Sequence, residues 1–102
     1  MARFDIYISS KVQSDLSECV SFVLRVSPDA ARSLADAAYS ALMSLGEYPE
    51  RNPIFEMPKT YPHVIRKCVV NGRYVALYRI DDGRVVVYRI LDTRRKFDSL
   101  LG

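Results

Sequence analysis

From Tyr61 to the C-terminus the chain carries nine basic residues, Arg66, Lys67, Arg73, Arg79, Arg84, Arg89, Arg94, Arg95 and Lys96, against four aspartates. The last eighteen residues, VVVYRILDTRRKFDSLLG, set an apolar run, Val85–Tyr88, directly before Arg89 and then Arg94-Arg95-Lys96. A guanidinium offers paired donors in a fixed fork that fits a phosphate or a carboxylate. Arginines gathered at the end of an apolar segment therefore suit a surface that meets an anionic partner. The plainer alternative is a solvated strand end, where arginine is simply tolerated.

Other chemistry is sparse. His63 is the sole histidine, and Cys19 and Cys68 lie far apart without a CxxC spacing, so no zinc site and no cofactor are expected. Both cysteines read as small buried hydrophobes. Net charge is +3, and 49% of residues are apolar against 26% charged, the balance of a globular protein. No stretch approaches a membrane span, and the N-terminus alternates instead of forming a signal-peptide core, so a cytoplasmic protein without membrane contact is expected.

The elements that must position the arginines can be read in order. At 102 residues the chain suits a single domain over 1–102 with a modest core. Phe4, Ile6 and Ile8 alternate with Asp5 and Tyr7, the period of a strand. Ser9-Ser10 offer a helix cap, and Val12, Leu16, Cys19/Val20 and Val23 then recur at helical spacing. Ser27-Pro28-Asp29 opens a second helix, with Ser27 as cap and Pro28 at the first position. Its apolar face runs through Ala31, Leu34, Ala38, Leu42 and Leu45 to Gly46. The short connection predicts an antiparallel helical hairpin. Pro49, Pro53, Pro58 and Pro62 predict no regular element between 47 and 62. Strands follow over 63–70, 73–80 and 84–91, with turn signals at Asn71-Gly72 and Asp81-Asp82-Gly83. The fold class is thus α+β: an N-terminal strand, a helical hairpin, and a three-stranded antiparallel meander completing one sheet.

Register assigns the arginines to a face. A two-residue turn at Asn71-Gly72 sets Val69 opposite Tyr74 and Cys68 opposite Val75. A three-residue turn at 81–83 sets Ile80 opposite Arg84, Tyr78 opposite Val86, and Val75 opposite Arg89. Ile65, Val69, Tyr74, Ala76, Tyr78, Val86, Tyr88 and Ile90 then face the helices, with Lys67 awkwardly among them. Arg66, Cys68, Val75, Leu77, Arg79, Val87 and Arg89 face away. A two-residue second turn is disfavoured because it would carry Arg89, unpaired, to the core side.

The segment VIRKCVVNGRYVALYRIDDGRVVVYRILDTRRKFDSLL, residues 64–101, resembles the RelE/ParE superfamily of toxins from type II toxin–antitoxin modules, the plasmid stabilisation proteins. The likeness is carried by Arg66-Lys67, Gly72-Arg73-Tyr74, Tyr78-Arg79-Ile80, Asp81-Asp82-Gly83, Arg89-Ile90-Leu91 and Arg94-Arg95. The order of elements matches over nearly the whole chain. Asp92-Thr93 departs from the His-Gly often found before the paired arginines.

The resemblance implies growth arrest, restrained by a cognate antitoxin, and a homodimer or a toxin–antitoxin hetero-oligomer. It implies one of two targets. ParE-like members inhibit DNA gyrase, and the kept Tyr-Arg-Ile and Arg-Ile-Leu…Arg-Arg pattern favours this. RelE-like members cleave mRNA on the ribosome, where a ribose 2′-hydroxyl attacks the neighbouring phosphate and proton transfer is needed. In that case Arg66 takes the place of a catalytic lysine, and Arg94 or Arg95 supplies the cation for the transition state. Cys68 and Val75 stand where further basic residues are expected, and Leu100-Leu101 near an expected tyrosine, so the proton-transfer half is absent or moved. A relative that only binds antitoxin is the third alternative. In either active case Arg66, Arg79, Arg89, Arg94, Arg95 and Lys96 are the expected target-binding residues.

Overall fold

A computed structural model describes residues 3–72 and 74–93. The elements are β1 (Asp5–Ile8), α1 (Ser10–Leu24), α2 (Pro28–Ser44), a 3-10 turn (Pro49–Arg51), β2 (Ile54–Phe55), β3 (Ile65–Asn71), β4 (Tyr74–Asp81) and β5 (Arg84–Asp92). Both helix starts form as their sequences dictate. The Ser9 hydroxyl accepts from the Val12 amide at 3.2 Å, and the Ser27 hydroxyl accepts from the Ala30 amide at 3.1 Å. Each side chain satisfies a donor that the first helical turn leaves open. Pro28 stands at the first turn, where its missing N–H is no loss.

The strands form one sheet in the order β1-β5-β4-β3-β2. β1 runs parallel to β5, and the other pairings are antiparallel. The helical hairpin covers one face. Leu34, Ala38, Leu42 and Leu45 from α2 and its C-terminal cap, with Val12 from α1, pack onto Cys68, Val70, Tyr74, Ala76, Tyr78, Val85, Val87 and Ile90. On the far face, Ile65, Val75, Leu77 and Leu91 are buried beneath Phe55, Met57, Tyr61 and Tyr88. The central strand β4 is therefore covered on both sides, which explains why Tyr74–Tyr78 is apolar without alternation.

The proline-rich segment departs from expectation. It contains the 3-10 turn and the two-residue strand β2, whose residues Ile54 and Phe55 pair with Arg66 and Ile65. Both suit proline: Pro49 opens the turn, and Pro53 lies just before the edge strand, where it offers its carbonyl to the Lys67 amide at 3.0 Å.

Register is the larger correction. Asn71, not Val69, closes the first hairpin opposite Tyr74, and Val70 is an extra residue between the Val69–Val75 and Asn71–Tyr74 pairs. The second hairpin has a two-residue turn. Asp81 pairs with Arg84, and Asp82 and Gly83 both take positive φ, 46° and 83°, as a type I′ turn requires. Tyr78 pairs with Val87 and Leu77 with Arg89, leaving Tyr88 as a bulged residue. A slip of one residue exchanges the faces of a strand. Tyr74, Ala76, Tyr78 and Ile90 face the helices as expected, and Val75, Leu77 and Arg79 face away. Cys68 and Val87, expected on the far side, belong to the helix-side core. Ile65 and Tyr88, expected against the helices, belong to the far-side cluster, and Val86 goes with Arg79, its partner across the sheet. Val69, expected in the core, is 61% exposed. Lys67 pairs with Leu77 on the far face and is exposed, so it has no need to escape a core.

Candidate target-binding surface

Arg66 extends from β3 beside the 3-10 turn. It is not on the far face, because its strand partner is Tyr78 of the helix-side core. One nitrogen, Nη1, donates to the carbonyls of Glu50 at 3.0 Å and Asn52 at 2.7 Å. Tyr78 secures the same turn from beneath. Its hydroxyl donates to the Pro49 carbonyl at 2.6 Å and accepts from the Asn52 amide at 3.0 Å. Local sequence explains the need for these ties. Tyr48 precedes Pro49 with φ at 49°, a conformation uncommon for a bulky residue.

Burial pushes the Tyr78 phenol above its ordinary pKa; the Asn52 hydrogen bond and the nearby Arg66 and Arg51 charges oppose it without prevailing. Burial likewise raises the Cys68 thiol, against the Arg51 charge. These groups hold their protons more tightly folded than unfolded. Their contribution to stability is complete below the unfolded pKa and is lost as pH rises through the folded one. The melting temperature should therefore fall above about pH 10, where free tyrosine ionises. Tyr78→Phe should flatten that fall in alkaline melting curves, and an unchanged slope would remove Tyr78 as its source.

Arg79 lies on the far face. It donates to the Tyr88 hydroxyl through Nη1 and to Asp81 Oδ2 through Nη2 at 3.1 Å, with its guanidinium carbon 5.5 Å from the Tyr88 ring centre. Its Nε is buried without a hydrogen-bond partner. Lys67 is exposed on this same face, one strand away. The register error concealed it: read one residue out, Lys67 looks like a misplaced core residue and Arg66 like a surface one. Alternation along the strand leaves two choices of face. Ile65, Lys67 and Val69 share one face, and Arg66, Cys68 and Val70 the other; a bulge beside Asn71-Gly72 decides which face meets the helices.

Arg89 is also not on the open face. Its Nε and Nη2 meet Asp15 of α1 at 2.6 and 3.0 Å, and its side chain is 14% exposed. Hydrogen bonding to Asp15 raises its pKa further. The objection to a two-residue turn was that Arg89 would be buried unpaired, and the structure meets it with a partner from α1. Arg94, Arg95 and Lys96 lie outside the described residues; they continue the chain from Thr93, just after β5. Among the described residues no group of three His, Cys, Asp or Glu could hold a metal ion, and no helix is long and apolar enough to cross a membrane.

A sheet with one parallel edge strand, backed by a helical hairpin and edged with arginines, defines the small toxin fold of the RelE/ParE type. The chain is similar to the chromosomal ParDE system from P. aeruginosa, with 16% identity, a TM-score of 0.66, and 86% of this chain and 94% of that one covered. It is similar to the toxin–antitoxin complex RelBE2 from Mycobacterium tuberculosis, with 21% identity, a TM-score of 0.58, and coverage of 90% and 93%. A copper-bound mutant toxin from Helicobacter pylori also aligns, with 13% identity, a TM-score of 0.54, and coverage of 89% and 96%. No curated protein matches the sequence. The family described as the ParE toxin of type II toxin-antitoxin systems, parDE, matches residues 6–97. The chain belongs to that family and is a toxin of the ParE/RelE superfamily, in line with the resemblance carried by its own motifs.

Proposed function

We propose that this toxin arrests growth by binding and inhibiting DNA gyrase, as ParE-like proteins do, and is held silent by a cognate antitoxin in a hetero-oligomer. One observation carries the reading. Arg66, Arg79 and Arg89 each hold groups of their own fold. Part of the far sheet face, where RNA cleavage would need cations and a proton donor around a substrate, is covered by Phe55, Met57 and Tyr61. Inhibition by binding needs no such constellation. It needs a surface that suits an anionic partner, and the sequence Arg94-Arg95-Lys96 supplies the residue types for one. The similarity to a toxin–antitoxin complex supports an antitoxin partner. The reading implies a cytoplasmic protein.

A second reading has its own support. Lys67 is exposed on the far face that also carries Arg79 and Tyr88, so a cation and a phenol lie on one side of the sheet. Those are ingredients for ribosome-dependent mRNA cleavage. Pulse-labelling after induction without antitoxin separates the two, and a supercoiling assay with purified gyrase tests the first directly. Blocked DNA synthesis with translation continuing, together with inhibited supercoiling, is expected. Immediate translation arrest with unaffected gyrase would replace this reading with the second, and unimpaired growth with folded protein present would favour an inactive, antitoxin-binding relative.

A further inference from the structure

β3 loses its outer neighbour early. β2 pairs with it at Ile65 and Arg66, and Pro53 then accepts the Lys67 amide at 3.0 Å. In an antiparallel pair a residue directs its N–H and C=O to the same side, and successive residues alternate. Lys67 therefore directs its carbonyl outward with its amide, and Pro53, having no N–H, cannot return that bond. Val69, next on the same side, directs both of its backbone groups outward as well. Among the described residues no strand lies beside this stretch, and the Val69 carbonyl meets only the Cys68 thiol, a weak donor, at 3.7 Å. A bare edge of this kind is a template for another extended chain.

Cations flank the edge on both faces. Lys67 and Val69 are exposed on the far face, Val69 at 61%. On the helix side stand Arg66 and Arg51. Each is tethered through one nitrogen, Nη1: Arg66 to the carbonyls of Glu50 and Asn52, and Arg51 to the carbonyl of Glu47 at 3.0 Å. Both charges act on the Tyr78 phenol, and Arg51 acts on the Cys68 thiol of β3 too, which places it beside this edge. Glu47 and Glu50 meet the arginines through backbone carbonyls, and neither arginine forms an ion pair among the described residues. A side chain already held in place loses little freedom on taking a ligand, so the remaining guanidinium donors are pre-set for a carboxylate.

Charge selects the occupant. β3, Ile65–Asn71, holds no acidic residue. A second copy paired edge to edge would lay its own Arg66 and Lys67 alongside these, and like charges across a strand pair destabilise it. An extended segment of opposite charge meets no such conflict. Its side chains alternate between the faces, so consecutive positions address the two sets of cations in turn. One carboxylate lies beside Lys67, the next residue directs a carboxylate toward Arg51 and Arg66, and an apolar residue follows beside Val69.

We propose that the outer edge of β3 at Lys67–Val69 docks an acidic, extended peptide segment, paired through the Lys67 carbonyl and the Val69 backbone and recognised by Lys67 on one face and by Arg51 with Arg66 on the other. The inference does not depend on which target the toxin inhibits.

The test titrates the full chain with two short capped peptides of valine and threonine. One carries a pair of consecutive glutamates beside a valine, and the other carries lysines in their place. In the free protein the Val69 amide should exchange rapidly while the amides of β4 stay protected. The glutamate peptide should slow exchange at Val69, and its binding should weaken as salt is raised. The lysine peptide should do neither. Lys67→Glu, at an exposed position, should weaken the glutamate peptide by about tenfold and strengthen the lysine peptide, since one contact turns from attraction to repulsion. Should that variant fail to fold by circular dichroism, Arg51→Glu supplies the same reversal from the other face. Equal affinity for the two peptides, no binding of either, or binding that leaves Val69 exchange unchanged would overturn the proposal. So would a Val69 amide already protected in the dilute free chain, and protection that grows with protein concentration would assign the edge to a second copy instead.

Discussion

Cells expressing the Arg94→Ala/Arg95→Ala variant without antitoxin should keep dividing, whereas cells expressing the unaltered toxin should stop. The two arginines follow β5 after Asp92-Thr93, and β5 is tied to the fold on both sides: by β4 along its length, and by β1 and then Asp15 on the other edge. The arginines nearer the sheet already serve the fold. Arg66 holds the Pro49–Asn52 turn, Arg79 holds Asp81 and Tyr88, and Arg89 holds Asp15. The burden of target binding thus shifts toward the pair at the end. An arginine that meets a phosphate or carboxylate through two donors contributes about 1.5–3 kcal/mol per charged hydrogen bond, so losing two such residues is enough to abolish a working interaction. Circular dichroism and thermal melting supply the control. A folded double variant that still arrests growth would remove the pair from the mechanism. Arg89 does not belong in the same experiment, because its removal leaves Asp15 buried without its charge partner.

Tyr78→Ala should be the most destabilising single substitution in the sheet, costing about 3–5 kcal/mol as large-to-small changes of buried aromatic residues do. Tyr78 has no solvent exposure and lies at the centre of the helix-side core. Its hydroxyl also holds the Pro49 carbonyl and the Asn52 side chain, so the variant loses packing and an anchor together. Tyr78→Phe separates the two contributions. It keeps the ring and leaves two polar partners without the hydroxyl, a loss of about 1–3 kcal/mol for buried groups left unsatisfied. Urea titrations of both variants measure this. Equal losses for Ala and Phe would show that the hydrogen bonds, not the ring, carry the contribution of Tyr78. Leu34 and Leu42 share that core, as the helical periodicity indicates, but Tyr88 does not; it packs on the opposite face.

The helices were legible because their signals are local. Ser9 and Ser27 cap within three residues of themselves, Pro28 suits only a first turn, and the apolar face of α2 repeats at the helical period. The strands were legible for the same reason, since Asn71-Gly72 and Asp81-Asp82-Gly83 mark reversals in the chain, although the second turn has two residues and not three. The family was legible too, because its motifs are short strings of sequence. Much of the placement of charge was not. Both hairpins carry an irregularity, an extra Val70 and a bulged Tyr88, and each moves side chains to the opposite face of the sheet. Nothing within Lys67–Asn71 or Val86–Arg89 announces a bulge. Its cost is offset elsewhere, by helix packing against Cys68 and Val70 and by Asp15 receiving Arg89 from 74 residues earlier in the chain. The sequence by itself determined the two helices and four of the five strands, their order and the type of residue available for anionic partners. Only the tertiary structure decided that Arg66 and Arg89 bind their own fold and that Lys67 stands free on the far face, because a strand's register is set by contacts made across the sheet and against the helices, not along the chain.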